Sequence, residues 1–395
     1  MLIHKNTERI RILVVCGSLG VGGAEVQAAK LLPLLDRQKF DVEVVYYNKE
    51  TGHPKEQLLC HGIPVHYLGN DKWDRWQFMK KLTNFIRQGE FDIVHAWMAS
   101  ANHYARLPAL WARVPVIIGG LQGQIELQKN WSALYSFMNL ACSGWIVNSQ
   151  TLKEFVKNEL FFMHGTTVWV VKNGLEIGGE NLFRQKELTE YDALRGNRPV
   201  VGMVGRLHPV KNHRLFLDMA LELTTAGVDA DYWIIGDGPM RSNIEHAIAE
   251  MGLSTRVKLL GLRQDVDVAL CRMDVLVLTS DSESCPNAVL EAMRAGLPVV
   301  ATNCTDFNNI IEEGVNGFIV PIMEKTLLTQ RVAHILSNPT LRETMGTKSR
   351  AIIDSRFSLS AAVNGLADAY LSAANSAAHS SKQLREKLKS WRIEI

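Results

Sequence analysis

The feature that most constrains the fold is an alternation, repeated in both halves of the chain, of short apolar β-branched runs with segments of helical period. A strand that is apolar along its whole length must be buried on both faces, and a parallel sheet with helices on each side is the architecture that does so. In the first half the runs predict strands near Ile10–Cys16, Val42–Tyr47, Val65–Leu68, Asp92–Trp97, Val114–Ile118, Trp145–Val147 and Thr167–Val171. In the second half they predict strands near Val200–Val204, Tyr232–Ile235, Val257–Leu260, Val275–Leu278, Val299–Ala301 and Phe318–Val320.

With 395 residues, 47% of them apolar, the chain can bury two cores. The polar stretch from Glu180 to Arg198 reads as an exposed linker, so the boundary is expected near residue 195. The expected domains are 1–195 and 196–358, followed by a return helix from Leu359 to about Ala378 and a polar tail to residue 395. Two similar α/β domains would face each other across a cleft, a common place for a ligand.

Composition removes several function classes. Lys and Arg number 43 against 41 Asp and Glu, so the net charge of +2 lacks the basic excess of a dedicated nucleic-acid binder. The six cysteines are dispersed, without a Cys-x-x-Cys pair or zinc spacing, which fits a reducing cytoplasm. The first residues, MLIHKNTERIRILVVCGSLGVGG, are expected not to act as a signal peptide, because the apolar run is short and Glu8 sits in its flank. No run approaches the roughly 18 apolar residues of a membrane span, so membrane contact is expected to be peripheral, at the inner face of the plasma membrane. The tail SKQLREKLKSWRIEI carries five basic and two acidic residues and reads either as a solvated terminus or as a membrane-surface helix.

Three constellations can carry chemistry. Gly17-Ser18-Leu19-Gly20-Val21-Gly22-Gly23 joins the first strand to a helix, where backbone N–H groups can approach an anion. Its spacing departs from the dinucleotide fingerprint, although Glu50 lies where a ribose contact would, and a plain tight turn is the simpler alternative. Gly205-Arg206-Leu207-His208-Pro209-Val210-Lys211-Asn212 follows the first strand of the second domain, so Arg206 and Lys211 either face a diphosphate or sit on an ordinary surface loop.

The third runs from Ser280 to Pro298. Pro286 suits the first position of a short helix over 286–295, and Gly296 with Pro298 suits its end. Glu283 then precedes the helix, and Glu291 lies about 7.5 Å along its axis from Pro286. N–H groups near Asn287, Ala288 and Val289 can hold a phosphate, whereas the carboxylates of Glu283 and Glu291 would accept hydrogen bonds from sugar hydroxyls. The alternative is a dipole-stabilising Glu283 and a solvated Glu291.

With these residues the chain resembles, over nearly its whole length, a retaining GT-B glycosyltransferase of family 4. Glu283-x7-Glu291 is similar to the family's paired-glutamate motif, and Gly205-Arg206, Lys211-Asn212, Gly236-Asp237-Gly238-Pro239, Asn173-Gly174 and Asn316-Gly317-Phe318 fall in the family's order. The resemblance implies two Rossmann-like doubly wound domains facing an interdomain cleft, with a UDP- or GDP-sugar held by the second and the acceptor by the first. It implies that Arg206 and Lys211 neutralise the leaving diphosphate, that Glu291 binds the ribose and that Glu283 binds the donor sugar. Gly20, Gly22 and Gly23 would close over the diphosphate, and the segment ending at Arg263 would border the base.

No metal is expected, for the family the chain resembles is usually metal-independent. Relatives often carry a basic residue after the strand near Val114–Ile118, where this chain has Gln122; His95 and His103 are candidate substitutes, with a structural role open for His95. Lys72 to Lys81 mixes aromatic and basic residues, as a lipid-headgroup contact or as a core-facing helix through Phe78, Leu82, Phe85 and Ile86. The expected activity is transfer of a sugar to a lipid-linked saccharide or growing polysaccharide in bacterial surface-glycan synthesis. A nucleotide-sugar epimerase and a non-catalytic sugar- or nucleotide-binding subunit are the alternatives.

Overall fold

The computed structural model describes residues 9–20, 22–69, 74–122, 142–159, 166–177, 190–305, 307 and 310–378. The chain divides into two compact units, Met1–Gly174 with Leu359–Ile395, and Leu175–Ser358.

In the first unit the elements are β1 (Ile10–Cys16), α1 (Gly23–Leu31), β2 (Phe40–Tyr46), α2 (His53–Cys60), β3 (Val65–Tyr67), α3 (Arg75–Gly89), β4 (Ile93–Ala96), α4 (Ala99–Trp111), β5 (Val116–Leu121), β6 (Gly144–Val147), α5 (Gln150–Glu159) and β7 (Val168–Val170). The strands form one parallel sheet in the order β3-β2-β1-β4-β5-β6-β7. Alternation along β1 shows why its sequence is apolar throughout. Ile12, Val14 and Cys16 enter one core, and Leu13 and Val15 enter another on the opposite face.

The second unit contains α6 (Glu190–Arg195), β8 (Val200–Val204), α7 (His213–Thr225), β9 (Asp231–Ile235), α8 (Arg241–Glu250), β10 (Val257–Gly261), α9 (Val266–Leu270), β11 (Val275–Leu278), α10 (Asn287–Ala295), β12 (Val299–Thr302), β13 (Gly317–Val320), α11 (Lys325–Leu336) and α12 (Pro339–Arg356). Its parallel sheet runs β10-β9-β8-β11-β12-β13. Val275 and Val277 of β11 face a core with Phe216 and Leu217 of α7, whereas Leu276 and Leu278 face one with Val289 and Met293 of α10. Helices therefore cover both faces, as the apolar runs require.

The contact division falls after Gly174, earlier in the chain than the expected boundary near 195. Within the polar stretch, residues 180–189 lie outside the described residues. The rest packs with the second unit: Tyr191 is 1% exposed beside Trp233, and Arg272 pairs with Asp192 at 3.1 Å, as Arg195 does with Asp274. Those charges are polar because they are paired, not because they are a solvated linker.

The return helix, α13 (Leu359–Ala377), belongs to the first unit. Its Ala362, Leu366, Tyr370 and Ala374 pack on the Ile12 and Val14 face, and Tyr370 Oη lies 2.9 Å from His95 Nδ1. The tail from residue 379 onward lies outside the described residues, as do Lys72 and Trp73. In α3, Phe78, Leu82 and Ile86 are buried as expected.

Candidate active site

The strand order reverses between β8 and β11, which are direct neighbours while the chain on either side winds away in opposite directions. In an open parallel sheet the carboxyl ends of such a pair form a crevice where ligands bind. The loops leaving these two strands carry the two strongest motifs of the sequence.

After β8, the backbone is pinned on both sides of Arg206: Gly205 N–H donates to Ile235 O at 2.9 Å, and Leu207 N–H to Asp237 O at 3.0 Å. Gly236 has φ +141°, and a Cβ there would collide with Gly205 O, so only glycine lets the two strand ends approach. Arg206 is exposed, and its side chain makes no hydrogen bond or ion pair among the described residues. Beyond it, a 3₁₀ turn over Pro209–Lys211 leads to Asn212, whose φ of +49° is left-handed and whose side chain caps α7 by accepting from Leu215 N–H at 3.2 Å.

After β11, the chain turns to meet that loop. Asp281 N–H donates to Val210 O at 2.8 Å, and Asn212 Nδ2 donates to Asp281 Oδ1 at 3.0 Å. Lys211 Nζ forms an ion pair with Glu283 Oε1, and the side chains are 20% and 12% exposed. Ser280 Oγ donates to the same oxygen at 2.8 Å. Both protein donors thus converge on Oε1, while Oε2 has no hydrogen-bond partner among the described residues. Glu283 is held from behind by its own N–H, which donates to Cys304 O at 3.0 Å. Burial, with the charge of Glu283 adding to it, pushes the Cys304 thiol up to about 12, so it stays protonated and is no nucleophile at neutral pH.

α10 begins one residue later than expected, because Pro286 has an extended ψ of 101° and serves as the cap. Gly296 ends the helix in the left-handed conformation, φ +82°, as anticipated. Ala288 N–H makes no hydrogen bond among the described residues, whereas Val289 N–H closes the first turn on Pro286 O at 3.0 Å. Val289 is fully buried as well, so the expectation that its N–H meets a phosphate is corrected. Asn287 follows the cap, and Glu291 is half-buried one turn from Ala288.

Arg263 is placed differently from a base contact. Its guanidinium donates to Tyr191 Oη at 2.7 Å and Asp265 Oδ1 at 3.1 Å, pairs with Glu190, and lies 5.1 Å from the Tyr191 ring centre. These partners join α6 to the loop after β10 and raise its pKa further.

In the first unit, the glycine turn folds onto residues 50–52: Leu19 N–H donates to Glu50 O at 3.2 Å and Gly52 N–H to Leu19 O at 2.9 Å. A Cβ at Gly20 would lie 2.9 Å from the Glu50 carboxyl, and one at Gly22 would collide with Glu25. Gly23 opens α1. Two carboxylates beside Gly20, Gly22 and Gly23 favour hydroxyl donors over phosphate at this turn. His95 is a core residue: it is fully buried in β4 and pushed down to about 3 by desolvation, so it stays neutral. That burial removes it as a sugar contact. His103 is exposed on α4, its pKa lowered by partial burial and by Arg106 and Arg75. Gln122 follows β5, and its Oε1 is shielded without a hydrogen-bond partner among the described residues. No group of three or more His, Cys, Asp or Glu among the described residues could hold a metal ion.

Two buried residues at the site escaped the sequence reading. Thr279 Oγ1 donates toward Lys211 O at 2.9 Å and Asn212 O at 3.0 Å, and Thr302 Oγ1 donates to Ser280 O at 2.6 Å. The only signal was a Thr-Ser pair ending an apolar run, which does not name a partner 68 residues away.

Comparison with known proteins bears on the family and the fold. Residues 21–178 match the family model described as Glycosyltransferase Family 4, and residues 198–338 match that described as Glycosyl transferases group 1. The alpha-D-kanosaminyltransferase of Streptomyces kanamyceticus is 33% identical over 47% of this chain and 49% of its own length. The UDP-Gal:alpha-D-GlcNAc-diphosphoundecaprenol alpha-1,3-galactosyltransferase of Escherichia coli is 24% identical over 89% of this chain and 93% of its own. Among solved structures, HepE of Anabaena in complex with UDP and glucose superposes with a TM-score of 0.77 at 23% identity, covering 92% of this chain and all of that one. That likeness shows a shared GT-B fold.

Proposed function

Because the chain belongs to glycosyltransferase family 4 and is a nucleotide-sugar-dependent glycosyltransferase of glycan biosynthesis, we propose that it moves a sugar from a UDP-sugar to a lipid-linked saccharide with retention of anomeric configuration. The observation that carries the reading is the Lys211–Glu283 pair beside the α10 N-terminus, with Arg206 mounted on the neighbouring strand end. UDP is favoured over GDP because UDP stands in the name of the full-length relative and in the HepE complex.

In this proposal Arg206, Lys211 and the open Ala288 N–H face the diphosphate, Glu283 Oε2 accepts from a donor-sugar hydroxyl, and Glu291 accepts from the ribose. As the bond between sugar C1 and the β-phosphate oxygen breaks, its electron pair passes to that oxygen, where two fixed cations stabilise it. The acceptor hydroxyl oxygen bonds to C1 on the same face, and its proton passes to the departing phosphate. The cations do this without a metal ion. Glu25 and Glu50 beside the glycine turn would address acceptor hydroxyls.

No helix of the described residues is long and apolar enough to cross a membrane. In this proposal the lipid-linked acceptor is met at a membrane surface, for which Trp76, 64% exposed and stacked on Trp111, with Lys80 and Lys81 also exposed, is a suitable contact.

The test is incubation with UDP- and GDP-sugars and a lipid extract as acceptor, following nucleotide release and the anomeric configuration of the product. Acceptor-dependent release with retention supports the reading. Epimer formation from the donor alone favours an epimerase, and tight nucleotide binding with no transfer favours a binding subunit.

A further inference from the structure

The function proposed above uses the tip of Lys211 but leaves open what sets the turn that carries it. Lysine has a long flexible stem, so where its ammonium sits depends on where its backbone is held. That backbone runs into Asn212, a non-glycine residue in the left-handed region at φ +49°.

Three ties bind this turn to the strand end of β11. Two involve the exposed Asp281: its N–H donates to Val210 O, and its carboxylate accepts from Asn212 Nδ2. The third is Thr279, which is 0% exposed and whose hydroxyl spans the carbonyls of Lys211 and Asn212 at 2.9 and 3.0 Å. It grips the lysine's own peptide and the left-handed residue together, from inside the fold, where water cannot substitute. Lys211 Cε meanwhile passes over Gly205, where a Cβ would lie 3.4 Å away, so a displaced turn would move the stem against the β8 end.

We propose that Thr279 is a positioning residue for the diphosphate site, acting through Lys211. It touches no substrate; its hydroxyl holds the lysine's turn so that Nζ stays beside Glu283 and toward the phosphates. The proposal rests on the reading of Lys211 as a diphosphate contact, and a double-mutant cycle separates the two.

The measurement is the UDP dissociation constant by calorimetry for the full chain as wild type, Thr279→Val, Lys211→Ala, the double variant and Thr279→Ser. Thr279→Val should weaken UDP about tenfold, the loss expected when a charge-assisted contact is misplaced. In the Lys211→Ala background the same change should add less than about twofold, because there is no ammonium left to place. Thr279→Ser keeps the hydroxyl and should bind UDP as wild type does. If Lys211→Ala leaves UDP binding unchanged, the lysine's role falls, and Thr279's with it. If Lys211→Ala weakens binding while Thr279→Val does not, the positioning role alone is wrong. It is equally wrong if Thr279→Val weakens binding in both backgrounds to the same extent, or if Thr279→Ser is as damaged as Thr279→Val.

Discussion

Replacing Arg206 by alanine should slow transfer by about 30- to 70-fold and leave stability untouched, and both halves follow from how this residue is mounted. Its neighbours are fixed: Leu207 is fully buried, and its carbonyl accepts from Met240 N–H at 3.0 Å. The guanidinium itself is exposed and has no hydrogen-bond or ion-pair partner among the described residues. Removing it therefore breaks no native contact, and the expected change in unfolding free energy is within about 0.5 kcal/mol.

The effect on chemistry is electrostatic. Two unit charges about 4 Å apart at the effective dielectric of a partly exposed protein site attract by about 4 kcal/mol. Ordering a free arginine side chain takes back roughly 1.5 to 2 kcal/mol of this. What remains, about 2 to 2.5 kcal/mol, corresponds to a loss of about 30- to 70-fold in kcat/KM. Arg206→Lys retains the charge without the planar fork and should lose about tenfold. The assay is the initial rate of acceptor-dependent UDP release at low donor concentration, paired with thermal melts of each variant. An Arg206→Ala enzyme that melts normally and turns over within about threefold of wild type would refute the electrostatic reasoning.

Lys211→Ala should behave differently, because it leaves the Glu283 carboxylate, 12% exposed, without its cation. We expect a loss of about 1 to 3 kcal/mol of stability, partly recovered by adding Glu283→Gln in the same chain, as read by denaturant melts. Acid sensitivity should be traceable to His95. Its folded pKa near 3 lies below the ordinary 6.5, so the unfolded chain binds the extra proton between those values. Stability is then full above about pH 6.5 and falls by up to about 1.4 kcal/mol per pH unit below it; His95→Gln should flatten the slope between pH 6.5 and 5. His213, pushed down to about 4, adds a slope of the same sign that the variant leaves in place. Finally, EDTA should leave the transfer rate unchanged; a loss restored only by Mg²⁺ or Mn²⁺ would put a metal at the diphosphate.

What could be read in advance was whatever the chain repeats along its length. Each of the thirteen strands among the described residues overlaps a run expected from the sequence, because burial on two faces writes itself as uninterrupted apolar residues. The misreadings occur where one letter has two uses. The strand expected at Val114–Ile118 continues through Gly119 and Gly120 to Leu121, although a glycine pair reads as a turn. These glycines serve close packing: a Cβ on Gly119 would lie 2.7 Å from Trp145, and one on Gly120 would collide with Ala96 O. His95 likewise followed an apolar run as a site residue would, yet its partner, Tyr370, stands 275 residues away on the return helix. The same distance rule separates the two halves of the candidate site. Arg206, Lys211 and Glu283 announce themselves as charges in the loops after strand ends, and Glu291 as a charge inside the short helix that follows, while Thr279 and Ser280 are small polar residues whose importance depends on what they face. Lys211 and Glu283 are 72 residues apart and meet because β8 and β11 are neighbours in the sheet. Residues placed by a strand end can therefore be found from the sequence, and those that hold the placed residues still only from the fold. That division is why the strongest test of this site is a cycle between one residue of each kind rather than another substitution among the charges.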